Sequence, residues 1–273
     1  MTTTAVVLAR GLGTRMRRTD GDAALSVEQQ RAAAGGAKAL MPMVDASGRA
    51  RPFLDWILSG LADAGITHVV LVVAPEHEAA AAYYTGEGRP ARVTITFAVQ
   101  EEAIGTANAV LAVEHVVPDR FVVMNGDNLY PHAALAPLVA GDGALCVAFD
   151  GEALVREGNI PAERLRAFAR LSIGADDVVQ GITEKPADAD IATLDWPVSM
   201  NLWAFTREIF GACRAVPRSA RGEFELPQAV DLAVRSGAMR LRALRVAAPV
   251  LDLSGRGDII ALGARLATVQ VAP

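Results

Sequence analysis

The sequence predicts an α/β fold built on a mixed, mainly parallel sheet, and three observations carry that reading. Short β-branched apolar runs alternate with helical patterns up to residue 150. The stretches between runs are long enough for the crossovers that parallel pairing requires. Hydrophobic residues make up 52% of the 273-residue chain, enough to cover both faces of such a sheet.

Residues 5–9, Ala-Val-Val-Leu-Ala, form a continuous apolar run, as a strand covered on both faces requires. Residues 68–74, 93–99, 121–125 and 144–149 read the same way. Between them the pattern predicts helices at 52–64, 76–83, 106–113 and 131–139, with Phe53 and Trp56 on a buried face. After Asp150 the pattern changes. Residues 165–171, 178–184 and 198–205 read as strands with short connections, an antiparallel extension of the sheet. Helices at 207–213 and 225–236, strands at 240–246 and 250–253, and a helix over 258–267 complete the chain. Residues 19–36 break the alternation and read as a solvated insertion with one helical turn around 27–33.

Composition excludes several classes. A formal net charge of −5 argues against a general nucleic-acid or membrane-surface binder. Cys146 and Cys213 have neither metal-ligand spacing nor the look of a disulfide framework, which fits a reducing cytoplasm. No apolar run approaches membrane-spanning length, and the first four residues lack the basic start of a signal peptide. The expectation is a soluble cytoplasmic protein, one domain over 1–273. His68, His77, His115 and His132 are scattered and read as structural or solvated.

Only two of the 26 basic residues are lysines, Lys38 and Lys185. Where a chain otherwise uses arginine, a lysine marks a place for a compact ammonium, as on a phosphate. The strand at 5–9 runs into Arg10-Gly11-Leu12-Gly13-Thr14-Arg15. Two glycines after a buried strand let the backbone turn tightly and present N–H groups to an anion. The run is neither a Walker A motif nor the dinucleotide fingerprint, because Gly-Lys-Ser/Thr and the third glycine are missing. Further on, the strand at 121–125 ends in Asn125-Gly126-Asp127-Asn128, a carboxylate at the end where open α/β sheets bind substrates.

Leu8-Ala9-Arg10-Gly11-Leu12-Gly13-Thr14-Arg15-Met16, followed by Lys38-Ala39-Leu40-Met41-Pro42, resembles the signature of the sugar-1-phosphate nucleotidylyltransferases, or nucleotide-sugar pyrophosphorylases. The resemblance continues in order through Gln100 with Gly105-Thr106, through Asp127, through Glu184-Lys185-Pro186 and Gly222-Glu223, to Asp252. It implies a Rossmann-like three-layer αβα sandwich of the GT-A-like nucleotidyltransferase kind, with residues 1–150 for the nucleotide and 151–273 for the sugar phosphate. It also implies an enzyme that joins a nucleoside triphosphate to a sugar-1-phosphate with Mg²⁺, releasing pyrophosphate.

Position by position, the resemblance makes Arg15 and Lys38 the neutralisers of pyrophosphate. Leu8, Ala9, Gly11, Gly13, Thr14, Gln100, Gly105, Thr106 and Asp127 become nucleotide contacts. Lys185 clamps the incoming phosphate, and Asn128, Glu184, Asn201 and Glu223 sit on the sugar-phosphate side. Asp127 and Asp252 hold the metal. A Gln amide can pair with the O4/N3–H edge of uracil or thymine, so UTP or dTTP is favoured, with GTP as runner-up. Four features depart from the family pattern: Arg10 at a usually small position, the long segment before Lys38, Asn201 at a usual Gly, and Pro227-Gln228 for Thr-Asp. The last two leave the sugar identity open, and the alternatives are the same fold acting on GTP or CTP or on a non-sugar phosphate, or a non-catalytic nucleotide-sugar sensor. Family members are often homo-oligomers, but no stretch here identifies an interface.

Overall fold

The structure, a computed structural model, describes residues 1–11, 13–18, 25–184, 186, 194 and 196–273. The first half contains β1 (Thr4–Leu8), α1 (Val27–Gly35), β2 (Pro42–Val44), β3 (Ala50–Pro52), α2 (Phe53–Asp63), β4 (His68–Val73), α3 (Glu78–Thr85), β5 (Thr94–Val99), α4 (Thr106–Leu111), β6 (Arg120–Asn125), β7 (Asn128–Leu129), α5 (His132–Ala140) and β8 (Ala144–Phe149). The second half adds α6 (Gly151–Arg156), a 3-10 helix over Ala162–Ala167, β9 (Ala169–Ile173), β10 (Val179–Thr183), β11 (Val198–Thr206), α7 (Glu208–Ala215), α8 (Leu226–Arg235), β12 (Leu241–Val246), β13 (Leu251–Asp252) and α9 (Arg256–Leu266).

The main sheet runs β10-β9-β11-β6-β1-β4-β5, with β8 beside β11 and β12 beside β8. β1 is parallel to β4 and β6, and β4 to β5, as the long crossovers require. β11 enters antiparallel to β6 and β8, and β12 returns parallel to β8. The sheet is mixed and mainly parallel in the half that the apolar runs predicted.

The period-2 alternation of side chains sorts the core into two layers. Ala5, Val7, Val69, Leu71, Val122 and Met124 pack on the side of α2, α5 and α9. Val6, Val70, Val72, Phe121, Val123 and Trp203 pack on the other side, against α4, α7 and α8. The central strands β1, β4 and β6 are therefore apolar at consecutive positions, and each reads as an unbroken run.

The order of the strands also places the site. From β1 the chain moves outward to β4 and β5, then returns to β6 on the opposite side of β1. Such a reversal leaves a crevice at the carboxyl ends of the two neighbours, where open sheets bind ligands. Leu8 and Asn125, the last residues of β1 and β6, are register partners, so the Gly-rich turn and Asp127 leave the sheet side by side.

Two expected strands differ. The span 165–171 divides into the 3-10 helix, entered from Pro161, and β9, where buried and exposed residues alternate from Ala169. Residues 250–253 keep only Leu251 and Asp252 as strand, and these pair with β7 outside the main sheet. The insertion contributes a full helix, α1, opened by a Ser26–Gln29 capping box; residues 19–24 lie outside the described residues. The β2–β3 hairpin and α6 were not anticipated, although Asp150 caps α6 through its carboxylate.

Candidate functional site

The Gly-rich turn is held by α1. Gly13 has φ +60°, and a Cβ there would lie 2.5 Å from the Gly36 carbonyl oxygen, so both backbone and packing demand glycine. Arg17 donates to the Gly35 carbonyl at 3.2 Å, and the Lys38 N–H donates to that of Gly36 at 2.9 Å. The end of the long insertion therefore sits on the turn and delivers Lys38 to it. Leu8 and Ala9 are half-buried, whereas Gly11, Thr14 and Arg15 are exposed at its rim.

Lys38 Nζ donates to Asp127 Oδ2 at 2.8 Å. The Asp127 carbonyl accepts from the Leu253 N–H at 2.8 Å, and the β7–β13 pair sets Asn128 opposite Asp252. Asp252 is 3% exposed. Its Oδ1 accepts from Asn128 Nδ2 at 3.2 Å, and its Oδ2 accepts from Arg164 Nη1 at 2.7 Å and Ser254 Oγ at 2.8 Å. Arg164 also bonds Asp258, at 3.1 Å, while Asn159 both donates to and accepts from the Asp252 backbone. Burial raises the Asp252 pKa from its ordinary value and the nearby Asp127 charge adds to it, with Arg164 opposing. Asn128, buried at 2% exposure, lies beneath the site with its amide spent on Asp252.

Oxygen-only donors suit Mg²⁺, which is usually held by one or two carboxylates together with substrate phosphates. Asp127 and Asp252 fit in kind. Asp127 is the more accessible, with 29% of its side chain exposed against 4% for Asp252, whose two oxygens already have donors. Among the described residues no group of three or more metal-binding side chains gathers, so phosphate oxygens would have to complete the coordination.

At the other end of the crevice, Gln100 follows β5 and is 5% exposed. Its Nε2 donates to the Gly105 carbonyl at 3.0 Å and to Asn108 Oδ1 at 2.9 Å. Gly105 has φ +121°, and a Cβ would lie 2.3 Å from the Phe224 carbonyl oxygen. Its neighbour Thr106 uses Oγ1 to accept from the Leu226 N–H at 2.9 Å, capping α8. The Gly-Thr pair therefore fastens the Gln100 end of the crevice to the segment carrying Glu223.

That segment is the one the family resemblance expects on the sugar side. Arg221 pairs with Glu225 at 2.7 Å, lies 3.9 Å from Glu223, and feels the charge of Glu184. Lys185, expected to clamp the incoming phosphate, lies outside the described residues. Asn201 lies within β11 where its pairing with β8 shifts register, with φ +57°. Leu202 pairs with Met124, so Asn201 lies level with Asn125, at the end of the sheet that carries Asp127. Among ordinary residues Asn is the one that best tolerates this left-handed backbone, which explains how it can replace glycine. Its Oδ1 is buried and, among the described residues, has no hydrogen-bond partner.

Sequence reasoning missed Arg164, Asn159 and Arg221. Arg221 carried a local signal, the i, i+4 spacing to Glu225. Arg164 carried none, because Asp252 is 88 residues away.

The family model described as Nucleotidyl transferase matches residues 34–248. Over 252 residues the chain is 31% identical to the UTP–glucose-1-phosphate uridylyltransferase AglF of Haloferax volcanii, covering 91% of this chain and 90% of that protein. It is 29% identical over 245 residues to a glucose-1-phosphate thymidylyltransferase of Streptomyces antibioticus, covering 86% of this chain and 58% of that one. The fold is that of a UDP-glucose pyrophosphorylase solved with UDP-glucose (TM-score 0.72, 15% identity, 97% and 98% covered) and of the T. maritima inositol-1-phosphate CTP transferase (TM-score 0.69, 16% identity, 97% and 96% covered). No helix among the described residues is long and apolar enough to cross a membrane.

Proposed function

The chain belongs to the nucleotidyl transferase family, and from that premise we propose that it transfers the nucleotidyl group of UTP or dTTP to a sugar-1-phosphate, with glucose-1-phosphate as the first candidate. The observation that carries the reading is the meeting of the Gly13 turn, Lys38 and Asp127 at the carboxyl ends of β1 and β6. A phosphate oxygen of the sugar-1-phosphate attacks the α-phosphorus in line. A new P–O bond forms as the bond from the α-phosphorus to the bridging oxygen breaks, and the electron pair leaves with pyrophosphate. The nucleophile is already ionised, so no strong base is needed, and catalysis is positioning with charge neutralisation.

Arg15, exposed at the rim of the turn, and Lys38 receive the β- and γ-phosphates. Mg²⁺ held by Asp127 with Asp252 would supply charge neutralisation on the phosphates. Glu184, Asn201 and Glu223 face the sugar, and Lys185 holds its phosphate. Gln100 reads the base. Relatives named as a uridylyltransferase and a thymidylyltransferase support the pyrimidine choice.

The test is pyrophosphate release across a grid of nucleoside triphosphates and sugar-1-phosphates with Mg²⁺. Turnover in the UTP or dTTP rows supports the proposal and names the sugar. Turnover only with GTP, ATP or CTP keeps the reaction and overturns the base. A silent grid with intact UDP-glucose binding overturns catalysis in favour of a sensor.

A further inference from the structure

We propose that Arg10 reads the nucleobase, supplying a hydrogen-bond donor that Gln100 no longer has to give. The inference rests on the reading of Gln100 as the base contact. The Gly105 carbonyl can only accept, so the bond it receives fixes which end of the Gln100 amide is nitrogen. The second Nε2 hydrogen goes to Asn108 Oδ1. Only Oε1 remains for a ligand. As an acceptor it matches the N3–H of uracil or thymine, but it leaves the adjacent O4 without a donor.

Arg10 brings that donor to the same place. It leaves the turn after β1 and reaches across to donate from Nη2 to the Glu101 carbonyl at 2.9 Å. Glu101 directly follows Gln100, so this bond ties the guanidinium to the end of the crevice that carries the amide. Its Nε is buried and, among the described residues, has no hydrogen-bond partner. Guanidinium offers only donors, and leaving one buried and unpaired is costly. A base carbonyl would satisfy it. The acceptor of Gln100 and the donor of Arg10 together complement N3–H and O4. Cytosine presents the reverse pair, an N3 acceptor beside an N4 amino donor, and meets like against like at both positions. A small residue in place of Arg10 could not make this distinction through its side chain.

The experiment is calorimetric titration of UTP, CTP, GTP and 4-thio-UTP, in which sulfur makes O4 a poor acceptor, into wild type, Arg10→Ala and Arg10→Lys. Arg10→Ala is expected to weaken UTP by about 10- to 100-fold, the size of a hydrogen bond from a charged donor, and CTP far less. Wild type should prefer UTP over 4-thio-UTP, and the preference should collapse in Arg10→Ala. Arg10→Lys keeps the charge without the Nε–H and should lose the same preference. Equal losses for UTP and CTP would make Arg10 a phosphate contact and overturn the proposal. Unchanged or tighter UTP binding would also overturn it, the latter making the side chain an obstruction. The two 4-thio-UTP comparisons decide the matter in wild type and Arg10→Lys even where Arg10→Ala does not fold. Failure of the pyrimidine reading looks different: wild type itself would bind GTP and neither pyrimidine.

Discussion

Lys38 Nζ lies 2.8 Å from Asp127 Oδ2, joining a residue just beyond the inserted helix to one just beyond the sixth strand. The side chains are 15% and 29% exposed, so the pair is partly buried, and its net contribution to the fold is about 1 kcal/mol because its attraction is offset by the cost of drying two charges. Its value is positional. The ammonium and the carboxylate are kept at one point of the crevice; under the proposed function an incoming triphosphate would take Lys38 and free the carboxylate for a cation.

Lys38→Met and Asp127→Asn should each lower kcat by about 100-fold or more, as expected when charge stabilisation is removed from a transferring phosphate. Melting temperatures should move by only a few degrees, since so little stability resides in the pair. Pyrophosphate release and thermal unfolding of the same preparations check both halves. A variant that retains full turnover refutes its residue's role.

Arg164 is the opposite case, because Asp252 is almost wholly enclosed. Arg164→Met should cost about 2 kcal/mol, below the full loss for a deeply buried pair because the arginine is 21% exposed. Adding Asp252→Asn removes the orphaned charge, so the double variant should be more stable than Arg164→Met alone. Urea unfolding of the four members of this cycle measures the coupling.

Much of the fold could be read from the chain because its central strands are covered on both faces and announce themselves as unbroken apolar runs. The 3-10 helix could not, since Leu165 is its only buried side chain and resembles the start of the strand behind it. For the site, the pattern brought forward residues whose neighbours in sequence matter, such as Gly13 and Lys38. It was silent on what distant groups do to them. Nothing near Gln100 tells that the Gly105 carbonyl and Asn108 take both amide hydrogens, and nothing near Asp252 foretells Arg164.

Asn201→Gly should leave stability within about 1 kcal/mol of wild type, since glycine accepts the left-handed backbone at no steric cost. It removes an acceptor that is buried and, among the described residues, unpartnered, from the end of the sheet that carries Asp127. If Oδ1 receives a sugar hydroxyl, KM for the sugar-1-phosphate rises about tenfold while KM for the triphosphate stays put. Parallel changes in the two constants would place Asn201 outside the sugar pocket.

Asp45 and Asp55 share Arg51 yet should respond to pH with opposite sign. Asp45 is held well below the usual carboxylate range, chiefly by the Ser47 hydroxyl, with Arg51 and two backbone N–H groups assisting. Its contribution is complete above the unfolded value of about 3.9 and is lost as pH falls toward the depressed folded one. Burial pushes Asp55 the other way, against the hydroxyls of Tyr84 and Tyr83 and the charge of Arg51. Its ionisation costs stability at neutral pH, and the cost is relieved as protons bind the folded state first. Denaturant midpoints at pH 7, 5 and 3.5 should show the gap between wild type and Asp45→Asn narrowing with acid, and the gap to Asp55→Asn shifting in favour of wild type. Gaps that move in the same direction would mean that Arg51, rather than burial, governs both carboxylates.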